Sequence, residues 1–225
     1  DPQNFVAVHS MGLIAVQMKS YPMAVDLFEI AGSIEPNNAL AFNNLGNALL
    51  KLGKQDLALK NYGLALSIDK SYVDALKNRG ILYAGMHQHQ KAIGDFKEGL
   101  RLHPENVELY SALANVYIAD GRYQDALQEY EHALKYIPKS AVIINNIGVV
   151  LCALKRFKDA IEFFTKAIDL QDNYAEAFNN RAAAQMNLLD YAKAHAGYEH
   201  ALAIKPDYGD AIRGLSKAAS FLKNR

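Results

Sequence analysis

ALAFNNLGNALLKLGKQDLALKNYGLALSIDKSY, residues Ala39–Tyr72, decides the fold. Phe42, Leu45 and Leu49 fall at helical spacing with Gly46 among them, and Gly53 ends this first pattern. Ala58, Tyr62 and Ala65 then recur at i, i+4 and i+7. The stretch predicts two amphipathic helices joined by a tight turn, with small residues where the backbones approach each other. One full length of this stretch forward, the frame returns as Leu76, Gly80, Tyr83, Ala92, Phe96 and Gly99. The same step backward gives Val8, Met11-Gly12, Ala24, Phe28 and Ala31. The chain is a repeat array.

Six units fit without insertion or deletion, at about 5–38, 39–72, 73–106, 107–140, 141–174 and 175–208, and a terminal helix is expected over 209–224. Together they predict a single all-α array over 1–225. Gly46, Gly80, Gly148 and the alanines Ala58, Ala92, Ala126, Ala160 and Ala194 belong where the two helices of a unit cross. Tyr62, Phe96, Tyr130, Phe164 and Tyr198 are expected to fill the space toward the next unit. Pro36, Pro104, Pro138 and Pro206 follow the second helices, and Asn106, Ser140, Asn173 and Asp207 are expected caps for the helices after them.

Composition narrows the function. Lys+Arg and Asp+Glu number 24 each, so no general field draws nucleic acid or an anionic membrane. The balance is uneven locally. Asp1, Asp26, Glu29 and Glu35 face one Lys19 over 1–36, whereas Arg213, Lys217, Lys223 and Arg225 face one Asp210 after Gly209. That asymmetry can bias how a partner is oriented. No apolar run approaches the roughly 18 residues of a membrane span. Cys152 is the only cysteine, which removes any internal disulfide framework. This is compatible with a reducing compartment and equally with an oxidising one, since the repeats need no staples, and the cytoplasm is the expected setting.

The frame of large, small and aromatic residues resembles the tetratricopeptide repeat family, whose unit has the same length and the same spacing. The resemblance runs from Phe5 to at least Leu222. It implies a right-handed superhelical solenoid in which first helices line a concave face and second helices form the convex one. Residues at the second, fifth, sixth and ninth places of each unit would face the groove. The peptide-binding candidates among them are Asn43, Asn44, Asn47, Lys77, Asn78, Ile81, Asn115, Asn145, Asn146, Val149, Asn179 and Asn180. Leu40 and Val142 are second-place residues of the same face.

Asparagine recurs at the sixth place in Asn44, Asn78, Asn146 and Asn180, with a gap at Ala112. An amide carries donors and an acceptor, so such a row can pair with the backbone of an extended peptide; it can equally brace neighbouring units. The row is similar to the asparagine ladder of O-linked N-acetylglucosamine transferases. The carboxylate clamp of chaperone-binding members fits poorly. Asn180 matches it, but Asn145, Val149, Asp210 and Gly214 stand where its other groups belong.

The expected function is a non-catalytic protein-interaction scaffold holding an extended or helical segment of another protein. Two alternatives are the substrate-recognition region of a larger enzyme, such as a protein glycosyltransferase, and a self-assembling module. The last is suggested by the apolar first unit, with Val6, Met11, Leu13, Ile14, Val16, Met18 and Met23. No cofactor or metal is expected. His87 and His89 lack further ligands nearby in sequence, His195 and His200 are five apart and so on different helix faces, and Cys152 has no neighbouring base.

Overall fold

The computed structural model describes residues 4–223; Asp1, Asn224 and Arg225, which figure in the charge pattern and the expected terminal helix, lie outside them. Thirteen α-helices occupy the described residues. The chain divides into two compact units, one ending at Pro104 and the other starting at Glu105. The first holds α1 (Phe5–Gln17), α2 (Tyr21–Ile34), α3 (Ala39–Lys51), α4 (Gln55–Ile68), α5 (Val73–Gly85) and α6 (His89–Leu102). The second holds α7 (Val107–Ala119), α8 (Tyr123–Tyr136), α9 (Ala141–Ala153), α10 (Phe157–Leu170), α11 (Ala175–Asn187), α12 (Tyr191–Ile204) and α13 (Gly209–Lys223). The odd-numbered helices start at one constant interval, at Phe5, Ala39, Val73, Val107, Ala141, Ala175 and Gly209.

Each pair closes around one aromatic ring. A Cβ on Gly46 would lie 2.6 Å from the Tyr62 ring, one on Gly80 2.6 Å from Phe96, and one on Gly148 2.5 Å from Phe164. The rings therefore seat against the first helix of their own repeat, not only toward the next unit as the sequence suggested. In the sixth repeat Ala182 stands at the glycine's place, as Ala114 does in the fourth, and Tyr198 shares a core with it. The Tyr198 ring also occupies the space that a Cβ on Gly214 of α13 would need. In the first unit Phe28, Leu45, Leu49, Tyr62 and Leu82 join into one core running through three repeats. In the second, α13 lays Ala211, Leu215 and Ala218 on Ala182, Ala194 and Tyr198.

The turn inside each repeat carries one residue at positive φ: Lys19, Gly53, His87, Gly121, Lys155 and Leu189. The chain must enter the left-handed region there to reverse direction, which glycine does without steric cost. His87 is thus a turn residue. Asn106 and Ser140 cap α7 and α9 through the amides of Leu109 and Ile143. Asn173 does not cap α11; that place belongs to Tyr174, which makes no capping bond.

Candidate functional site

The first helices carry two separate hydrogen-bonded asparagine ladders, one per compact unit. In the first, Asn44 Nδ2 lies 2.9 Å from His9 Nε2, Asn43 Nδ2 donates to Asn44 Oδ1 at 3.4 Å, and Asn78 Nδ2 donates to Asn43 Oδ1 at 3.0 Å. In the second, Asn146 Nδ2 donates to Ser111 Oγ at 3.3 Å, and Asn145 Nδ2 to Asn146 Oδ1 at 3.4 Å. Asn180 Nδ2 continues to Asn145 Oδ1 at 3.2 Å, and Asn179 Nδ2 to Asn180 Oδ1 at 3.3 Å. The rule is the same throughout: a sixth-place amide reaches back to the fifth-place residue of the preceding repeat. These bonds tie successive first helices together.

Burial separates the candidates. Asn145 is 0% exposed and Asn43 3%, and Asn179 is also buried, so the fifth-place amides belong to the interior. Satisfying them internally is what makes their burial tolerable. Asn44, Asn78, Asn146 and Asn180 are half-buried and keep an edge on the surface. Asn47 accepts from the Tyr62 hydroxyl at 2.7 Å, and Lys77 lies 3.5 Å from Asp74. Asn115 is exposed, as are Ile81 at 50% and Val149 at 41%, and the second-place Leu40 and Val142 are also exposed. In the second unit a small pocket of about 160 Å³ is lined by Ser111, Asn115, Ile118, Tyr130, Asn146 and Val149.

Three tyrosines complete the ladders and were not legible as site residues. Tyr72 bonds the Asn43 side chain and Tyr174 that of Asn145, while Tyr130 bonds Ser111 and Asn146. Burial raises the pKa of all three, that of Tyr174 to about 12, so they remain protonated. One signal was available. Tyr72 and Tyr174 stand at the last place of a repeat, where Asn38, Asn106 and Ser140 cap the next first helix, and each shares its repeat with a fifth-place asparagine. They give up a cap to serve the ladder.

Of the groups set aside for chemistry, the His87 and His89 rings lie with centroids 5.8 Å apart. Burial pushes the Cys152 thiol up to about 11, far from a reactive thiolate. Among the described residues no group of three or more His, Cys, Asp or Glu side chains is placed to hold a metal ion. No helix among them is long and apolar enough to cross a membrane.

Paired helices at a fixed step, closed by an aromatic ring over a small residue, define an α-helical repeat array. Tetratricopeptide repeat models match residues 31–60 and 105–173, and a further model of that repeat matches 46–86. The chain carries tetratricopeptide repeats. Comparison with curated proteins gave no match. Among solved structures it is similar to YrrB, a tetratricopeptide repeat protein with an unusual peptide-binding site. Identity there is 23% over 83% of this chain and 96% of that one, with a TM-score of 0.58. Pseudomonas aeruginosa pilF is similar at 17% identity over 95% of this chain and 97% of its own, with a TM-score of 0.70. The first such domain of Spaghetti (RPAP3), bound to the HSP90 peptide SRMEEVD, is 24% identical over 54% of this chain and 96% of its own, with a TM-score of 0.51. At these identities the likeness is one of fold.

Proposed function

We propose that the chain is a protein-interaction scaffold that holds an extended peptide along its first helices. The observation that carries this reading is the pairing of half-buried sixth-place amides with exposed aliphatic side chains beside them, as Asn146 with Val149 and Asn78 with Ile81. The buried ladder holds those amides in place, so little ordering cost falls on the protein when a peptide binds. The solved YrrB and Spaghetti (RPAP3) domains, whose descriptions record peptide binding, support the reading by analogy of fold. Panning a random peptide library on the intact chain tests it. Enriched peptides should lose at least about tenfold in affinity for the I81D/V149D variant, as aliphatic contacts are replaced by desolvated charge. Absence of any enriched peptide, or binding indifferent to that variant, would sink the reading.

The recurrence of asparagine at the sixth place favours a second reading, in which the array presents polypeptide to a catalytic domain such as a protein glycosyltransferase. A gene product without such a domain excludes it. The exposed apolar residues of α1 favour a third, self-association through the first repeat, with the cytoplasm as the setting for all three.

A further inference from the structure

The turns that leave α2 and α4, with the start of α3, border an open cleft of about 820 Å³. Pro36, Leu40, Ile68 and Tyr72 supply its apolar lining, and Glu35 and Asp69 its charge; no lysine or arginine lines it. The two carboxylates occupy the same place in successive repeats, each being the first residue after a second helix. His103, Ile137, Gln171 and Lys205 stand at that place in the other repeats. The acidic pair is therefore peculiar to this end of the chain.

Neutral groups hold both carboxylates in position. Glu35 Oε2 accepts from Asn38 Nδ2 at 2.7 Å. Asp69 Oδ1 accepts from the Ser71 amide at 2.8 Å and its hydroxyl at 2.6 Å. Those Ser71 bonds keep the Asp69 carboxyl below its usual range, so it stays ionised. Tyr72 feels the same field. Burial is the main cause that lifts its hydroxyl, and the charges of Asp74 and Asp69 add to it.

We propose that this cleft seats a basic–aliphatic segment of a polypeptide partner, with a lysine or arginine head group between Glu35 and Asp69 and the neighbouring aliphatic side chain on Leu40 and Ile68. A basic side chain suits both halves of the lining, since its methylene stem lies on apolar surface while its head group reaches the carboxylates. The volume is that of a site for several side chains. Leu40 belongs both to the cleft and to the second-place row, so a peptide on the first helices runs into it. The proposal rests on the peptide-binding reading above and names the class of peptide.

Three fluorescein-labelled octapeptides, alternating Lys/Leu, Ser/Leu and Glu/Leu, titrated against the intact chain by anisotropy, test it. Binding should fall in that order, and added salt should weaken the Lys/Leu peptide most. The E35Q/D69N variant keeps acceptor oxygens for Asn38 and Ser71 while removing both charges, and circular dichroism checks that its helices persist. It should weaken Lys/Leu binding by about five- to tenfold, the sum of two partly exposed charge pairs, and leave Ser/Leu within about twofold. Lys/Leu binding equal to Glu/Leu, or unchanged in E35Q/D69N, overturns the proposal. If Ser/Leu binds and Lys/Leu binds no better, the cleft assignment falls while the peptide-binding reading stands. If none of the three binds, the cleft assignment falls, and the library experiment above decides the broader reading separately.

Discussion

His9 starts the first ladder, and it can do so only as a neutral ring. With the Asn44 amide as donor at 2.9 Å, Nε2 must carry no proton. The ring is buried, stacks on Phe5 with centroids 5.3 Å apart, and tilts against Phe28 at 5.4 Å. Burial lowers its pKa below the ordinary 6.5. In the unfolded chain the ring takes up a proton near pH 6.5, whereas in the folded chain it does so only at lower pH. Between those two values the unfolded state binds more protons, so stability rises with pH there. The contribution is complete above about pH 7 and is lost as pH falls through about 6.5 toward the folded value. Thermal unfolding followed from about pH 7.5 to about pH 5 should show this loss, and H9Q should flatten that part of the profile. An identical profile in H9Q would remove His9 as its source.

At the scale of the helix pair, the crossing of α5 and α6 solves a packing problem differently from its neighbours. Leu45 and Ile147 occupy the seventh place in their repeats, but α5 puts Arg79 there. Its guanidinium grips Asp95 of α6 by two bonds of 2.8 and 2.7 Å, and Asp95 is buried. The second repeat fills the same two places with Leu45 and Asn61, whose amide donates to the Leu57 carbonyl at 2.8 Å. The R79L variant should therefore cost on the order of 3 kcal/mol, because it strands a buried carboxylate, while R79L/D95N should return to within about 1 kcal/mol of the parent. Chemical denaturation of the three proteins checks the order, and additive losses in the double variant would refute it. Arg181 shows what such a place becomes without its acid. Gly197 stands where Asp95 would; the Arg181 guanidinium donates to the Thr165 hydroxyl at 3.3 Å and lies over the Phe178 ring at 5.4 Å, and its Nε has no hydrogen-bond partner. The period, the crossings and the proline stops were legible in the sequence because each is a local steric demand that recurs from repeat to repeat. The ladder was half legible. Asparagine at a fixed place was visible, but whether it faced a ligand or the next helix depends on burial, which spacing does not encode. Tyr72 and Tyr174 were missed because they left a capping place to act on the first helix of their own repeat, and Tyr130 because its ring reads as core; no helical periodicity announces these contacts.

At the scale of the whole chain, the two ends carry opposite charge, and one of them is uncovered. Met11 and Ile14 of α1 hold places that are closed in other repeats: Ile14 is 53% exposed, whereas Val150 is 0%. Leu45, Ala48 and Ile147 are likewise buried. The first helix thus has the packing face of an internal repeat with nothing from the described residues over it. Covering the exposed half of each of these side chains is worth about 1 kcal/mol, a driving force for association. Asp26, Glu29 and Glu35 make the surroundings acidic, while Arg213, Lys217 and Lys223 make α13 basic and Ile212 adds an exposed apolar side chain there. A second copy offering α13 to α1 satisfies both the apolar face and the charge, in a heterologous, head-to-tail contact. Static light scattering should then show mass rising with concentration past the dimer. M11K/I14K should stay monomeric at every concentration, and K217E/K223E should weaken association without abolishing the apolar contribution. If mass rises only to a dimer, the contact is two-fold and α13 plays no part. A chain that remains monomeric throughout leaves the α1 face for a different protein.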